Sequence, residues 1–147
     1  KSFGVPGLRL GILASNDLQL ISDMKKNVAI WNINSFAEFY MQIFEKYKSN
    51  YEEALAKFKE VRKEYVEMLN GIEYLRVIPS QANYFLCEVI SKYSSKELTE
   101  LLLNEYNILI KDLSSKNGFS GKSYIRVAVK RPEENVKLVE AIKSVLI

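Results

Sequence analysis

The chain has 147 residues, 48% hydrophobic and 27% charged, which suits a soluble globular protein with one buried core. Its net charge of +3 is too weak to argue for nucleic acid, and with no histidine it can build neither a Ser–His or Cys–His catalytic pair nor a histidine metal site. One cysteine, Cys87, excludes an internal disulfide and suits a reducing, cytoplasmic setting, and no apolar run reaches the roughly 18–20 residues that span a membrane.

In chain order, a glycine-rich opening (KSFGVPGLRLG) feeds Leu8–Ala14, whose branched residues predict a short strand. Ser15, Asn16 and Asp17 can cap a helix running to about Lys26. Ser35 with Glu38 has the spacing of a capping box, and from Ser35 to Asn70 the signal is helical. Tyr51, Leu55, Phe58, Val61, Tyr65 and Met68 form one apolar stripe, and the lysines and glutamates off it read as a solvated face. Gly71 then follows Asn70, where a left-handed residue commonly ends a helix.

The period changes from there. Leu75–Ile78 and Asn83–Val89 predict strands, and Cys87 within the second reads as a small buried hydrophobe. Ser94-Ser95-Lys96-Glu97 predicts a capped helix with Leu98, Leu101 and Leu102 inward. Ile108–Ile110 and Ser123–Val129 predict two more strands around a polar turn. Pro132 suits the first position of a last helix, with Glu133 and Glu134 at its positive end and Val136, Val139, Ile142 and Leu146 buried. The order β-β-α-β-β-α gives an α+β fold, a few strands covered by helices on one face, with the long middle helix as a connector.

Few residues offer chemistry. An amine can form a Schiff base with a carbonyl cofactor, and a guanidinium can grip a phosphate in a bidentate fork. Lys1 and Arg9 bring both to one glycine turn, although by pattern alone they could be an ordinary surface lysine and a strand-edge arginine. The opening resembles the S-K-x-F-x-x-x-G-L-R-x-G segment of fold-type I pyridoxal-phosphate enzymes, the aspartate-aminotransferase superfamily. Within it, the likeness is to histidinol-phosphate aminotransferases and threonine-phosphate decarboxylases. Pro79–Leu86 (PSQANYFL) is similar to the family's P-S-x-A-N-F strand, and Tyr124–Asn135 (YIRVAVKRPEEN) to its I-R-V-x-V-x-x-x-E-E-N strand and helix. The three segments stand in the family's order.

The resemblance implies a small C-terminal aminotransferase domain over residues 35–147, preceded by a remnant of the large cofactor-binding domain over 1–34. It implies that Lys1 is the catalytic Schiff-base lysine, Arg9 a ligand of the cofactor phosphate, and Arg126 the holder of the substrate carboxylate. Lys111 stands where the family commonly has an arginine for a substrate phosphate, so the charge is kept and the fork is lost. Asn34, in W-N-I-N, falls near the active-site mouth, where the resemblance implies a further substrate-binding residue. On pattern alone Arg126 and Lys111 also read as solvated strand residues, and Asn34 as a helix cap.

The implied function is a pyridoxal-phosphate-dependent aminotransferase acting on an amino acid, phosphorylated or not, and a keto acid, as a homodimer, with no resident metal. The alternatives are a decarboxylase of a phosphorylated amino acid, favoured by W-N-I-N, Lys130 and the I-L-I-K-D-L-S-S turn, and a structural domain without chemistry of its own. The family's pyridine-nitrogen aspartate and ring-stacking aromatic precede the lysine, so this chain by itself should be inactive. After dialysis against pyridoxal phosphate it should retain little, and tight retention would refute that expectation.

Overall fold

The computed structural model describes residues 3–119 and 121–146. It resolves into two compact units, one extending to Leu55 and the other beginning at Ala56. The dividing point falls inside a long helix, and each unit has its own organisation.

The first unit contains a 3₁₀ turn at Pro6–Leu8, helix α1 (Leu18–Asn27), helix α2 (Ser35–Phe44), a second 3₁₀ turn at Glu45–Tyr47, and the start of α3 (Lys48–Asn70). The expected Asp17 cap is present, its carboxylate accepting the Leu20 N–H at 2.9 Å. The α2 cap is Asn34 rather than Ser35. Its Oδ1 accepts the Ala37 N–H at 3.0 Å, so Ser35 is already the first helical residue and its box with Glu38 does not form. Residues 9–14 form no strand. A strand requires a ladder partner, and the four strands among the described residues pair with one another. Phe3 stacks on Tyr51 at 5.0 Å and meets Phe44 edge-on at 5.4 Å. Only Ala37 is buried in this unit among the described residues, while Ile12 (95% exposed), Trp31 (91%) and Phe36 (79%) lie open.

The second unit is a two-layer α+β fold. Strands β1 (Leu75–Ile78), β2 (Tyr84–Val89), β3 (Lys111–Asp112) and β4 (Tyr124–Ala128) form one antiparallel sheet in the order β1-β2-β4-β3. The period of two sends Phe85, Cys87, Val89, Ile125 and Val127 into the core. There they meet Tyr65 and Leu69 of α3, Leu98 and Leu102 of α4 (Ser95–Tyr106), and the inner face of α5 (Pro132–Leu146). Each such large side chain contributes roughly 1.5–3 kcal/mol on burial. Cys87 is fully buried, and burial pushes its thiol up to about 12, so it is neutral and inert.

Three local expectations change here. The β3 pairing covers Lys111–Asp112, not Ile108–Ile110, because the ladder with β4 stops at Lys111↔Arg126. Gly71 ends α3 without a left-handed φ; a Cβ there would lie 3.3 Å from the Met68 carbonyl oxygen, so close approach to the last turn is what the position requires. The left-handed helix end belongs instead to Asn107, after α4, whose N–H reaches the Leu103 carbonyl at 3.1 Å. On α5, Val136 is 40% exposed and Asn135 takes the inward position, only 1% exposed. Its amide spans the Lys130 backbone, accepting from that N–H at 2.9 Å and donating to that C=O at 3.0 Å.

That bridge predicts that Asn135→Ala lowers stability by about 1–3 kcal/mol, as both Lys130 backbone groups lose their partner. A fall in the urea midpoint with unchanged slope would show it. Glu134 accepts from Lys130 at 2.9 Å and Arg131 at 3.1 Å, and these bonds bring its carboxyl down to about 2. A depressed folded pKa contributes stability above the unfolded carboxylate range and loses it on acidification. The Tm difference between the chain and Glu134→Gln should therefore be full at neutral pH and close between about pH 4.5 and about 2.

Candidate functional site

The second unit gathers two of the expected site residues. Arg126 and Lys111 are direct cross-strand partners on β4 and β3, both exposed, on the sheet face opposite the helices. Like charges directly opposite one another destabilise a sheet. At the other edge the same sheet does the reverse, with Arg76 opposite Glu88 and its Nε donating to that carboxylate at 2.7 Å. No described carboxylate pairs with Lys111 or Arg126.

A cavity of about 480 Å³ opens where the β3–β4 ladder ends. Its walls are the 107–111 segment, Arg126 and Ala128 of β4, and the first turns of α5 with Lys137 and Leu138. The left-handed turn at Asn107 swings the chain from α4 along this wall, which is why Ile108–Ile110 line a hollow rather than extend the sheet. Lys130 also borders the cavity, but its amine is bound to Glu134.

Arg126 is supported from below. Its guanidinium carbon lies 5.2 Å from the centre of the Tyr84 ring, a cation–π contact worth about 0.5–1 kcal/mol at an exposed site. Tyr84 pairs with Ala128, two residues along β4 from Arg126, so the ring reaches the guanidinium diagonally. The turn before Tyr84 is pinned in place: Ser80 Oγ accepts from Ala82 N–H at 3.0 Å and donates to Tyr84 O at 2.9 Å. Arg62 of α3 donates to the Ser80 carbonyl and to Gln81 Oε1, and lies over Phe85. Sequence reasoning missed Tyr84 and Arg62. An aromatic at an outward strand position was the one available signal for Tyr84, and nothing local marks Arg62.

The first unit brings together Arg9 and Asn34. Arg9 ends the Pro6–Leu8 turn in the left-handed region, φ 55° and ψ 31°, with an exposed side chain and no acidic partner among the described residues. Asn34 caps α2 through Oδ1, and its Nδ2 donates to the Leu8 carbonyl at 3.0 Å. Both ends of the amide are therefore engaged by backbone. Lys1 lies outside the described residues. Among those described, no cluster of acidic residues and cysteine could hold a metal ion, and no helix is long and apolar enough to cross a membrane.

The chain is 34% identical to an L-serine phosphate decarboxylase of Sulfurospirillum multivorans, over 99% of this chain and 37% of that protein. The solved structure of a Sulfurospirillum multivorans decarboxylase superposes with a TM-score of 0.82 at 32% identity, covering 98% of this chain and 41% of that one. A histidinol-phosphate aminotransferase of Clostridium acetobutylicum superposes with a TM-score of 0.84 at 33% identity, covering 99% and 43%. The chain thus spans about two fifths of the length of these relatives. Residues 1–142 match the pattern of aminotransferase class I and II, and the chain belongs to that family of pyridoxal-phosphate-dependent enzymes.

Proposed function

We propose that this chain is the C-terminal part of a pyridoxal-phosphate-dependent enzyme that decarboxylates a phosphorylated amino acid. The observation that carries the reading is the Lys111↔Arg126 pair, two cations held side by side on the wall of one cavity with no carboxylate partner among the described residues. Like charges set opposite one another cost the sheet, and a ligand with two anionic groups would relieve that repulsion. A phosphorylated amino acid carries a carboxylate and a phosphate.

In this reading Arg126, braced on Tyr84, takes the carboxylate in its fork, and Lys111 meets the phosphate as a point charge. Arg9 suits the cofactor phosphate because it is exposed, without an acidic partner among the described residues, and set at the end of a glycine-rich turn. Lys1 is the amine that holds the cofactor and carries a proton to or from the substrate Cα. Bound pyridoxal phosphate would supply the electron sink that lets a bond at Cα break. Residues 35–147 make the small domain and 1–34 belong to the cofactor-binding domain. The assembly is a homodimer in the cytoplasm, and its other partners are small molecules.

The reaction is ordered differently here from the sequence reading, which puts transamination first. Two relatives bearing the name L-serine phosphate decarboxylase, from Sulfurospirillum multivorans and Campylobacter jejuni, are 34% and 30% identical over 99% of the chain. Transamination stays as the second reading because of the likeness to the Clostridium acetobutylicum enzyme.

The test is to give the complete enzyme O-phospho-L-serine and measure released carbon dioxide alongside amino transfer to 2-oxoglutarate. Carbon dioxide with no transfer is the expected result, and transfer without carbon dioxide would favour the second reading. Lys111→Met should raise KM for the phosphorylated substrate by about tenfold or more, on the scale of a lost charged hydrogen bond.

A further inference from the structure

We propose that Asn34 is a positioning residue whose amide holds the Leu8–Arg9 peptide in the left-handed turn that presents Arg9 to an anion. The argument begins with the peptide unit, which is planar and turns as one piece. Its carbonyl, on Leu8, accepts from Asn34 Nδ2 at 3.0 Å. Its N–H, on Arg9, donates to the Pro6 carbonyl at 3.2 Å. With both ends bonded the plane cannot rotate, and this holds Arg9 at its positive φ of 55°. A non-glycine residue avoids that region unless its surroundings impose it. The loop around it has glycines at 4, 7 and 11, which by themselves would leave it free.

The other end of the Asn34 amide supplies the rigidity. Oδ1 accepts the Ala37 N–H at 3.0 Å, and Ala37 is fully buried, so the first turn of α2 is fixed within its unit. The chemistry also fixes which way the amide faces: the Ala37 N–H needs oxygen, which leaves nitrogen for the Leu8 carbonyl. A helix cap needs only an acceptor, and serine, threonine or aspartate would serve. This position uses a donor as well, and asparagine carries acceptor and donor on two separate atoms, whereas aspartate has no donor and a serine or threonine hydroxyl has a single oxygen on a shorter arm. Asn34 therefore acts on the site through Arg9, and not by touching substrate as the resemblance implies.

The inference deepens the reading of Arg9 as a ligand of the cofactor phosphate and rests on it. Asn34→Asp keeps an acceptor for Ala37 and, ionised at neutral pH, has no donor for Leu8. NMR backbone shifts of the chain should keep the helical signature of α2 in this variant while Arg9 leaves its left-handed values. In the complete enzyme, the same variant should weaken pyridoxal phosphate binding by about tenfold, the scale of one lost hydrogen bond. Unchanged Arg9 shifts in Asn34→Asp would overturn the tether. Shifts that move while cofactor affinity stays put would overturn the positioning role, provided Arg9→Gln does weaken binding. If Arg9→Gln also leaves affinity untouched, the reading of Arg9 itself fails and the positioning role goes with it.

Discussion

The antiparallel pairing of β2 with β4 decides at once what this protein buries and what it presents. Phe85 opposite Val127 and Cys87 opposite Ile125 fill the core, while Leu86 opposite Arg126 and Tyr84 opposite Ala128 face the other way. A slip of one residue would drive Arg126 inward and Val127 out. The core side chains, at roughly 1.5–3 kcal/mol each, outweigh the few tenths to 1 kcal/mol that a like-charged cross-strand pair costs. The sheet can therefore hold Lys111 beside Arg126 without losing its register, and the tolerance comes from the far face.

Charge is arranged differently at the two ends of the cavity. Near α5, Glu134 engages both Lys130 and Arg131, so the start of that helix is electrostatically closed. On the sheet, Arg126 has an aromatic ring beneath it and Lys111 beside it, and no described carboxylate answers either. A ring can hold a guanidinium in place without neutralising it, which a carboxylate cannot. This is the arrangement expected where a cation must stay available to a ligand.

What the sequence made legible follows from the range of the interactions involved. Periodicity and capping are local, so α1, α3, α5, β1 and β2 could be read from neighbouring residues, and the Asp17 and Ser94 caps from single side chains. Strand status at residues 8–14 and 108–110 depends on a partner elsewhere in space, and branched residues alone mispredict it. On α5 Val139, Ile142 and Leu146 are buried as expected, and only the first inward place was misread: Asn135, a polar residue, is bonded to Lys130 and takes the place that hydrophobicity assigns to Val136. Lys111 and Arg126 were recognisable as cations at strand positions, but their being opposite one another is a matter of register. The cap at Asn34 was legible only as a possibility, and its bond to Leu8, 26 residues away, was not legible at all.

The single tryptophan has an optical consequence. Trp31 is 91% exposed beside Ile30, also 91%, on the surface of the first unit. An indole in water emits at long wavelength, and one enclosed by protein emits further to the blue. Any polypeptide that covers this side of the unit must enclose the one indole the chain has. The emission colour of the unlabelled protein is thus a built-in gauge of whether that surface is wet or dry.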